Sequence, residues 1–370
     1  MNELVCPLCK GNINAINFQR NIGKGESEVE CQTIKEGVLA CDKCKLIYPI
    51  INYIPIMLDF PTNITTEFLG RYNDKLEEFK DYTIPNNKPR PGEVYIQKAF
   101  SKQWEAHGTE QEFQYGYTED ELRYILKIEL GLEADWFKDK MLLNVGCGAG
   151  REAIMIYEYT KSTVVGIDLN FSLLNLGEKT VSYPDLHFVQ ASLFNLPFRE
   201  RAFDYVFSHG VIHHTYSTEE AFKCISKFVK SQGYIYIWVY GIRKVKSLIQ
   251  GLYVVFGHHL VRPLIAKSPT SLQTVGVFPI VLANYLVQKI QGKNPNWNDL
   301  WLQKRDSYAV YYLHWHWMAE VIVWLKEAGM SNITPLEIEK IPRDLWGSLR
   351  ENVGLRAQYT ESKMTNPKEL

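Results

Sequence analysis

Three glycines alternate in the stretch LLNVGCGAG, at Gly146, Gly148 and Gly150, directly after an apolar run. Glycine allows a positive φ and leaves open the space that a Cβ would fill. The run KMLLNVGCGAGREAIMI therefore predicts a strand, a glycine turn and a helix, and the bare amides at the start of that helix attract polar or anionic groups. We expect a ligand cradle at the carboxyl end of this strand.

A carboxylate follows the glycine turn at about the sequence separation that a nucleotide-binding unit requires. The second predicted strand, TVVGID, ends in Asp168, where a carboxylate can accept both hydroxyls of a ribose. This requirement is shared by nicotinamide and adenosyl cofactors. In the dinucleotide fingerprint GxGxxG the last glycine would fall on Arg151, so the chain fits GxGxG instead and hydride transfer is disfavoured.

Two CxxC pairs near the start of the chain indicate a metal. Cys6 with Cys9 and Cys41 with Cys44 supply four sulfurs, which suits tetrahedral Zn²⁺. The residues between the pairs predict an elongated hairpin with a turn near 21–25. A redox CxxC is the alternative, but no thioredoxin-like βαβ pattern surrounds either pair. Cys31 is interpreted as an ordinary cysteine.

Further strands must follow to position these groups. A third strand and a loop are predicted over 186–198, in LHFVQASLFNLPF. A fourth strand that ends in a histidine-rich loop is predicted over 202–215, in AFDYVFSHGVIHHT, and a fifth strand over 227–241, in KFVKSQGYIYIWVYG. A helix is expected at about 119–130 and another over 306–330. SNITPLEIEK and DLWGSLRENV are then predicted as the last two strands.

This succession resembles the class I S-adenosylmethionine-dependent methyltransferases, close to the quinone-biosynthesis type, over about 100–240 and again near 306–354. Residues 1–58 resemble the small zinc ribbon of the activating subunit of tRNA and protein methyltransferases, on the two cysteine pairs and the prolines Pro49 and Pro55. The resemblance implies an α/β fold, with a Rossmann-like, doubly wound, seven-stranded and mostly parallel sheet. It also implies an S-adenosyl-L-methionine cofactor and a structural zinc on Cys6, Cys9, Cys41 and Cys44.

The resemblance also assigns roles to single residues. Gly146, Gly148 and Gly150 would border the methionine part of the cofactor, and Asp168 would hold the ribose. Leu169 would pack beside the adenine, and Ser192 and Leu193 would face the adenine amino group. His209 would lie near the transferred methyl, and Trp104 in FSKQW would close over the cofactor. Two positions depart from the family pattern, since Asn144 and Ser192 stand where acidic residues are usual.

Histidines are the candidate general bases, because a hydroxyl acceptor would need one. His213 and His214 lie beyond the fourth strand, and one of them is the candidate catalytic residue. The alternative is that this pair packs or caps the loop. His314 and His316 could line the acceptor pocket or could pack among aromatic side chains.

The predicted domains are a zinc ribbon (1–59), a linker with a helical cap (60–135), a methyltransferase domain (136–354) and a flexible tail (355–370). An insertion over 241–305 holds nine basic side chains and one acidic, with two apolar stretches predicted as helices broken by proline. It could act as a substrate lid, a peripheral membrane contact, an RNA contact, or extra packing on the domain or on a second subunit.

With 46% hydrophobic residues and a net charge of -1, the composition predicts a folded protein without a general nucleic-acid coat. No secretory signal or membrane span is predicted, and the cysteine usage suggests a reducing cytoplasm. We expect a methyltransferase whose acceptor is a small molecule or a glycan or lipid intermediate. The alternatives are an rRNA or tRNA methyltransferase and a non-catalytic partner that keeps the cofactor pocket.

Overall fold

The computed structural model describes residues 3–22, 32–107, 113–242, 254–346 and 349–360. The chain begins with a four-stranded antiparallel sheet, the ribbon, made of β1 (Asn14–Ile22), β2 (Gln32–Cys41), β3 (Leu46–Ile51) and β4 (Ile54–Pro55). Strands β1 and β2 form the elongated hairpin that the spacing of the cysteine pairs predicts. Residues 23–25 of the predicted turn, and Cys31, lie outside the described residues.

A helical cap follows the ribbon. It consists of α1 (Asn63–Arg71), α2 (Glu93–His107), a short hairpin of β5 (Phe113–Gln114) and β6 (Tyr117–Thr118), and α3 (Glu119–Leu130). Helix α3 has the bounds that the sequence predicts, because both of its ends carry strong signals. The side chains of Thr118 and Glu121 form a reciprocal capping box, and Gly131 ends the helix at a φ of 60°.

The remaining elements alternate between strands and helices. They are β7 (Met141–Val145), α4 (Arg151–Thr160), β8 (Thr163–Asp168), α5 (Gly177–Ser182), β9 (Leu186–Gln190), β10 (Phe203–His209), α6 (Thr218–Ser226), β11 (Val229–Val239), α7 (Arg262–Ala266), α8 (Thr270–Ile290), α9 (Trp297–Tyr308), α10 (Met318–Glu327), β12 (Met330–Pro335) and β13 (Val353–Tyr359).

The sheet order β12-β13-β11-β10-β7-β8-β9 confirms the predicted fold. Strands β11, β10, β7, β8 and β9 are parallel to one another, and β13 runs antiparallel between β11 and β12. Buried runs such as Leu142, Leu143 and Val145 form its central strands, as expected where helices cover both faces of a parallel sheet. All carboxyl ends of the parallel strands therefore meet along one side.

The last strand was predicted in the wrong place. It is Val353–Tyr359 and not 344–353, so a tail that begins at residue 355 is also wrong. From Leu355 onward, strand β13 alternates buried Leu355 and Ala357 with the more exposed Arg356 and Gln358. This period of two is the signal that distinguishes the strand. Only residues 361–370 of the predicted tail lie outside the described residues.

Two predicted helices, one in the insertion and one after it, differ from their predictions. Helix α8 continues through Pro279 without a break, on a side of the helix where that residue is exposed. The helix predicted over 306–330 is divided, because α9 ends at Tyr308 and α10 begins only at Met318. In the described part of the chain, the helical segment Ser271–Ile290 is long and apolar enough to cross a membrane, whereas no membrane span was predicted. Only 17% of its most apolar stretch is buried inside the protein.

The ribbon packs against the open side of strand β9. Met57 N–H donates to the carbonyl of Gln190 at 2.7 Å, and Val5 N–H donates to the carbonyl of Pro197 at 2.9 Å. The buried side chains of Tyr48 and Met57 belong to the same apolar core as the sheet residues Val165 and Val189. The ribbon thus covers what would otherwise be an exposed strand edge.

The tightest contact across this junction predicts that alanine substitutions at two different glycines change the stability of the protein differently. A Cβ on Gly177 would lie 1.7 Å from the carbonyl oxygen of Asn52, so Gly177→Ala must push the ribbon away from α5. We expect a loss of about 1–3 kcal/mol in the free energy of unfolding, measured with urea. Gly70→Ala, in helix α1 with nothing within 4 Å of its Cβ, is the control and should stabilise by up to about 1 kcal/mol. Equal stability of the two variants would contradict the contact.

Candidate functional site

A cavity of 660 Å³ opens along the carboxyl ends of the parallel strands. Five strands contribute to its wall: Gly146 follows β7, Asp168 ends β8, Ala191 follows β9, His209 ends β10 and Tyr240 follows β11. Helices α2, α3 and α9 complete the enclosure. Ligands of open α/β sheets bind at this position, because the strand order reverses there and the loops diverge.

The glycine turn is shaped by close packing as well as by backbone conformation. Gly146, Gly148 and Gly150 have φ values of 76°, 58° and 81°, a region that disfavours residues with a Cβ. A Cβ on Gly146 would meet Val211 at 2.3 Å, and one on Gly148 would meet the ring of Trp104 at 2.8 Å. Gly146 and Gly148 line the cavity, whereas Gly150 packs behind it against Leu176.

Asp168 lies at the wall of the cavity, next to the glycine turn. Its carboxylate accepts the backbone N–H of Gly148 at 2.8 Å and that of Asn170 at 2.9 Å. Burial raises the pKa of this carboxyl, and the two backbone hydrogen bonds oppose that shift. The oxygens are therefore oriented by the backbone while the side chain faces the space beside the turn.

The other residues predicted to hold the cofactor also line this cavity. They are Leu169, Ser192, Leu193, His209 and Trp104. Leu169 is anchored through its carbonyl, which accepts hydrogen bonds from the side-chain amides of Gln97 and Gln190, each at 3.0 Å. The cap helix α2 thus contacts the tip of β8 directly. These placements are observed, and the roles of the residues stay predictions.

Each of the two positions that lack the usual acid has a glutamate from another element beside it. The side chain of Asn144 donates to Glu152 of α4 at 2.7 Å. Ser192 lies beside Glu93 of α2, and its side chain opposes the rise in the pKa of that carboxyl. The Glu93 carboxylate also accepts the N–H of Arg90 at 2.8 Å. Both glutamates line the cavity, so its wall keeps an acidic side chain beside each of the two positions. Burial raises the pKa of Glu93, and it raises that of Glu152 to about 7.

A third glutamate, the buried Glu129, holds His209. Its ring Nδ1 lies 3.0 Å from the carboxylate of Glu129, which also accepts the hydroxyl of Tyr236 at 2.9 Å. The imidazole stacks on Trp238 with the ring centres 4.5 Å apart. Burial opposes protonation of His209, but Glu129 outweighs it and raises the pKa to about 9. The ring is therefore protonated at neutral pH.

The two candidate bases occupy different positions. His214 lines the cavity, and its Nδ1 donates to the carbonyl of Tyr312 at 3.1 Å. This bond leaves the Nε2 lone pair free of a proton, 3.6 Å from Asp306. His213 is fully buried and packs between His214 and Tyr240, outside the cavity wall. Burial lowers the pKa of both histidines, so each is neutral at pH 7.

His314 and His316 do not line the cavity. His314 Nε2 donates to the carbonyl of Thr215 at 3.0 Å, and His316 Nε2 lies 2.9 Å from the hydroxyl of Thr218. The ring of His316 also packs on Trp324. Of the two interpretations, the structure supports packing for both residues.

The outer wall of the cavity is formed by α9 and by the segment before α7. His258 and Gln303 of the insertion face the cavity, and so do Asp306 and Ser307, which follow the insertion on α9. Asp306 is 4% exposed and accepts the hydroxyl of Tyr240 at 2.6 Å. Four acids at this cavity were not predicted, because single acids within helices carry no spacing signal: Glu93, Glu129, Glu152 and Asp306.

The four cysteines converge as predicted. The Sγ atoms of Cys6, Cys9, Cys41 and Cys44 all lie within 4.8 Å of one another, and those of Cys9 and Cys41 are 3.6 Å apart. A tetrahedral zinc would place its sulfurs about 3.8 Å apart, given Zn–S bonds of about 2.3 Å. The cluster therefore fits one Zn²⁺, and with four protein ligands the metal would be structural.

Comparison with known proteins agrees with both parts of the chain. Residues 143–237 match the family model of a methyltransferase domain, and residues 1–52 match that of Trm112p-like proteins. The chain carries a methyltransferase domain. The Trm112p-like domain coincides with the ribbon, and it holds all four clustered cysteines.

Individual relatives cover only parts of the protein. Malonyl-[acyl-carrier protein] O-methyltransferase of Legionella pneumophila is 29% identical over 113 residues, 30% of this chain and 39% of its own. Sterol 24-C-methyltransferase of Pneumocystis carinii is 28% identical over 116 residues, 30% of this chain and 31% of its own. The chain therefore spans less than half of the length of these relatives.

A solved complex of the Haloferax volcanii Trm112 methyltransferase activator with a methyltransferase also resembles this chain. The similarity has a TM-score of 0.40 at 11% identity, and it covers 72% of this chain and 98% of the other.

The cysteine cluster predicts the effect of removing one ligand. Cys41→Ser should lower the zinc content from about one ion per chain to near zero, because the site then lacks its fourth thiolate. It should also lower the Tm, since Cys41 belongs to the core shared by ribbon and sheet. Atomic absorption and thermal unfolding measure the two effects. Cys224→Ser, a half-buried cysteine outside the cluster, is the control. An unchanged zinc content in Cys41→Ser would refute this metal site.

Glu152 predicts a pH-dependent stability. Its pKa is about 7 in the folded protein and about 4.3 in an unfolded chain, so the folded state binds the proton more tightly. The stability contribution of Glu152 therefore falls as the pH rises from about 4.3 to about 7. Glu152→Gln should remove this slope and stabilise the protein at pH 8 by about 1–3 kcal/mol, measured by urea unfolding at several pH values.

A matched control comes from Glu119, whose pKa is lowered by the hydrogen-bonded Arg123. Glu119→Gln should show no gain at pH 8, because it removes a favourable ion pair. If Glu152→Gln and Glu119→Gln had the same pH profile, the buried position of Glu152 would be in doubt.

Proposed function

We propose that this protein is an S-adenosyl-L-methionine-dependent methyltransferase that acts on a small-molecule or a glycan or lipid-intermediate acceptor. The observation that supports it most is the position of Asp168 and the glycine turn at one open cavity, within the segment that matches a methyltransferase domain. The cavity is not filled by the protein's own side chains, which argues against a degenerate pocket that binds nothing.

The residues at the cavity fit each part of the cofactor. Asp168 offers acceptors for the ribose hydroxyls, with its orientation held by Gly148 and Asn170. Glu93 and Ser192 offer polar atoms for the adenine amino group, and Leu169 an apolar contact for the ring. Glu129 and Glu152 add acidic groups to the cavity wall, Glu152 beside Asn144 of β7, and negative charge there favours a sulfonium and an α-amino group. When bound, the cofactor supplies an electrophilic methyl group.

On the acceptor side, the chain orients groups and removes a proton. The walls from α9 and the cap helix α2 restrict the acceptor and exclude water, which serves the alignment that methyl transfer requires. His214 is our candidate general base for a hydroxyl acceptor, because it is neutral and keeps the Nε2 lone pair unprotonated. His213 would support its position through ring packing.

The charge of the cavity favours these acceptors over RNA. Its walls hold six acidic residues against three lysines and arginines and the protonated His209; the acidic ones are Glu93, Glu129, Glu152, Asp168, Asp306 and Asp344. A phosphate backbone is attracted by basic surfaces and repelled by such a wall. We also place the protein in a reducing compartment such as the cytoplasm, since the four clustered cysteines must stay as thiolates to bind zinc.

The test of this proposal is cofactor binding measured by calorimetry. The parent protein should bind S-adenosyl-L-methionine, and Asp168→Asn should bind it at least tenfold more weakly, because hydrogen bonds to a charged carboxylate contribute about 1.5–3 kcal/mol each. Asp204→Asn is the control: its carboxylate also accepts a backbone N–H, that of Met141, but it lies at the opposite ends of the strands. A parent without affinity would overturn the function, and equal binding by Asp168→Asn would overturn the assigned ribose site.

A further inference from the structure

The insertion carries an exposed apolar surface. Of the 19 large apolar side chains that are exposed in the described residues, 11 lie within residues 254–290. We call this surface the outer face; its members are Phe256, Leu260, Val261, Leu264, Leu272, Val275, Phe278, Leu282, Leu286, Val287 and Ile290. Such a concentration of apolar side chains on one element marks a surface that contacts something else.

Helix α8 is apolar on both of its sides. Val277 and Val281 are fully buried in the core that it shares with α7 and α9. On the opposite side, Leu272, Val275 and Phe278 begin a row that continues at intervals of three or four residues to Ile290, which is 86% exposed. This row is about 30 Å long, given a rise of about 1.5 Å per residue. No charged side chain interrupts it before Lys289.

The charged side chains of residues 254–298 are all basic. No aspartate or glutamate occurs between residues 254 and 298, whereas exposed Lys267 precedes α8 and exposed Lys289 and Lys293 lie at its end. Apolar side chains bordered by lysines complement an anionic lipid surface, where the apolar groups enter the interface and the lysines meet the phosphates.

We propose that the outer face docks the protein in the plane of an anionic lipid bilayer. Helix α8 would lie parallel to the bilayer surface, because the side of the helix opposite the outer face packs in the core of the protein. A helix that crossed the bilayer would have to leave the core formed with Ile265, Leu300 and Tyr308. A helix that lies in the interface keeps that core and inserts only the exposed row.

The same face reaches the cavity wall by a short path. On the π-helix Val254–Val261, Phe256 and Leu260 are more than half exposed, while His258 faces the cavity. One turn of helix therefore separates the docking surface from the space in which an acceptor would bind. The acceptor is accordingly a group carried by a lipid and presented from the bilayer; this part of the inference rests on the proposed methyltransferase function.

The experiment uses the full-length protein and sedimentation with vesicles. The parent should bind vesicles of phosphatidylcholine that contain phosphatidylglycerol, bind pure phosphatidylcholine at least tenfold more weakly, and lose affinity at high salt, which screens the lysines. The double variant L264E/V275E, which changes two side chains that are 75% and 69% exposed, should lower binding at least tenfold.

The matched control is V181E/V323E, which changes two valines that are 52% and 50% exposed on other parts of the molecule. This control should bind vesicles as the parent does. The proposal is overturned if the parent does not bind the anionic vesicles, or if both double variants bind equally well. It is also overturned if light scattering shows a dimer that only L264E/V275E dissociates, in the absence of vesicle binding, because the outer face would then contact a second copy.

Two readouts separate this inference from the proposed function. Calorimetry with S-adenosyl-L-methionine should give the same affinity for the parent and for L264E/V275E, since neither side chain lines the cavity. A parent that binds vesicles but not the cofactor would refute the methyltransferase and leave the docking surface standing. A parent that binds the cofactor but not vesicles would refute the docking surface alone.

Discussion

The hydrogen bond between the Asp168 carboxylate and the Gly148 amide is the constraint on which the site depends. It joins the tip of β8 to the turn after β7, at the point where the cavity opens. A side chain on Gly148 would collide with Trp104, so the missing Cβ lets the cap helix α2 close over the same turn. Strand, turn and cap are thereby held in one arrangement, with an anionic group facing the cavity.

Negative charge at the site comes from several elements. The positions of Asn144 and Ser192 lack the acids that the family resemblance leads one to expect, yet Glu152 of α4 accepts a hydrogen bond from Asn144, and Glu93 of α2 lies beside Ser192. The electrostatic potential in a cavity depends on where charges lie in space and on how little water screens them. A carboxylate can therefore be supplied from a different helix with the same effect on a cationic ligand.

The predictable parts of the fold were those with a local cause. The capping box at Thr118 and the positive φ of Gly131 bound helix α3, and the paired cysteines placed the ribbon. The last strand was misplaced because apolar and polar residues alternate only weakly from Val353 to Tyr359. This segment becomes a strand through its pairing with β11 on one side and β12 on the other. Pro279 did not break α8, since the packing of Val277 and Val281 outweighs the loss of one backbone hydrogen bond.

By itself, the sequence determined the order of the elements, the four clustered cysteines, and the glycine turn with its carboxylate, because each of these follows from short-range spacing and backbone conformation. Only the tertiary structure decided that the ribbon covers β9, that His214 reaches the cavity while His213 does not, and that Glu93, Glu129, Glu152 and Asp306 surround it. These features bring together residues that are far apart in the chain. Their positions are set by the packing of whole elements, which no local pattern encodes.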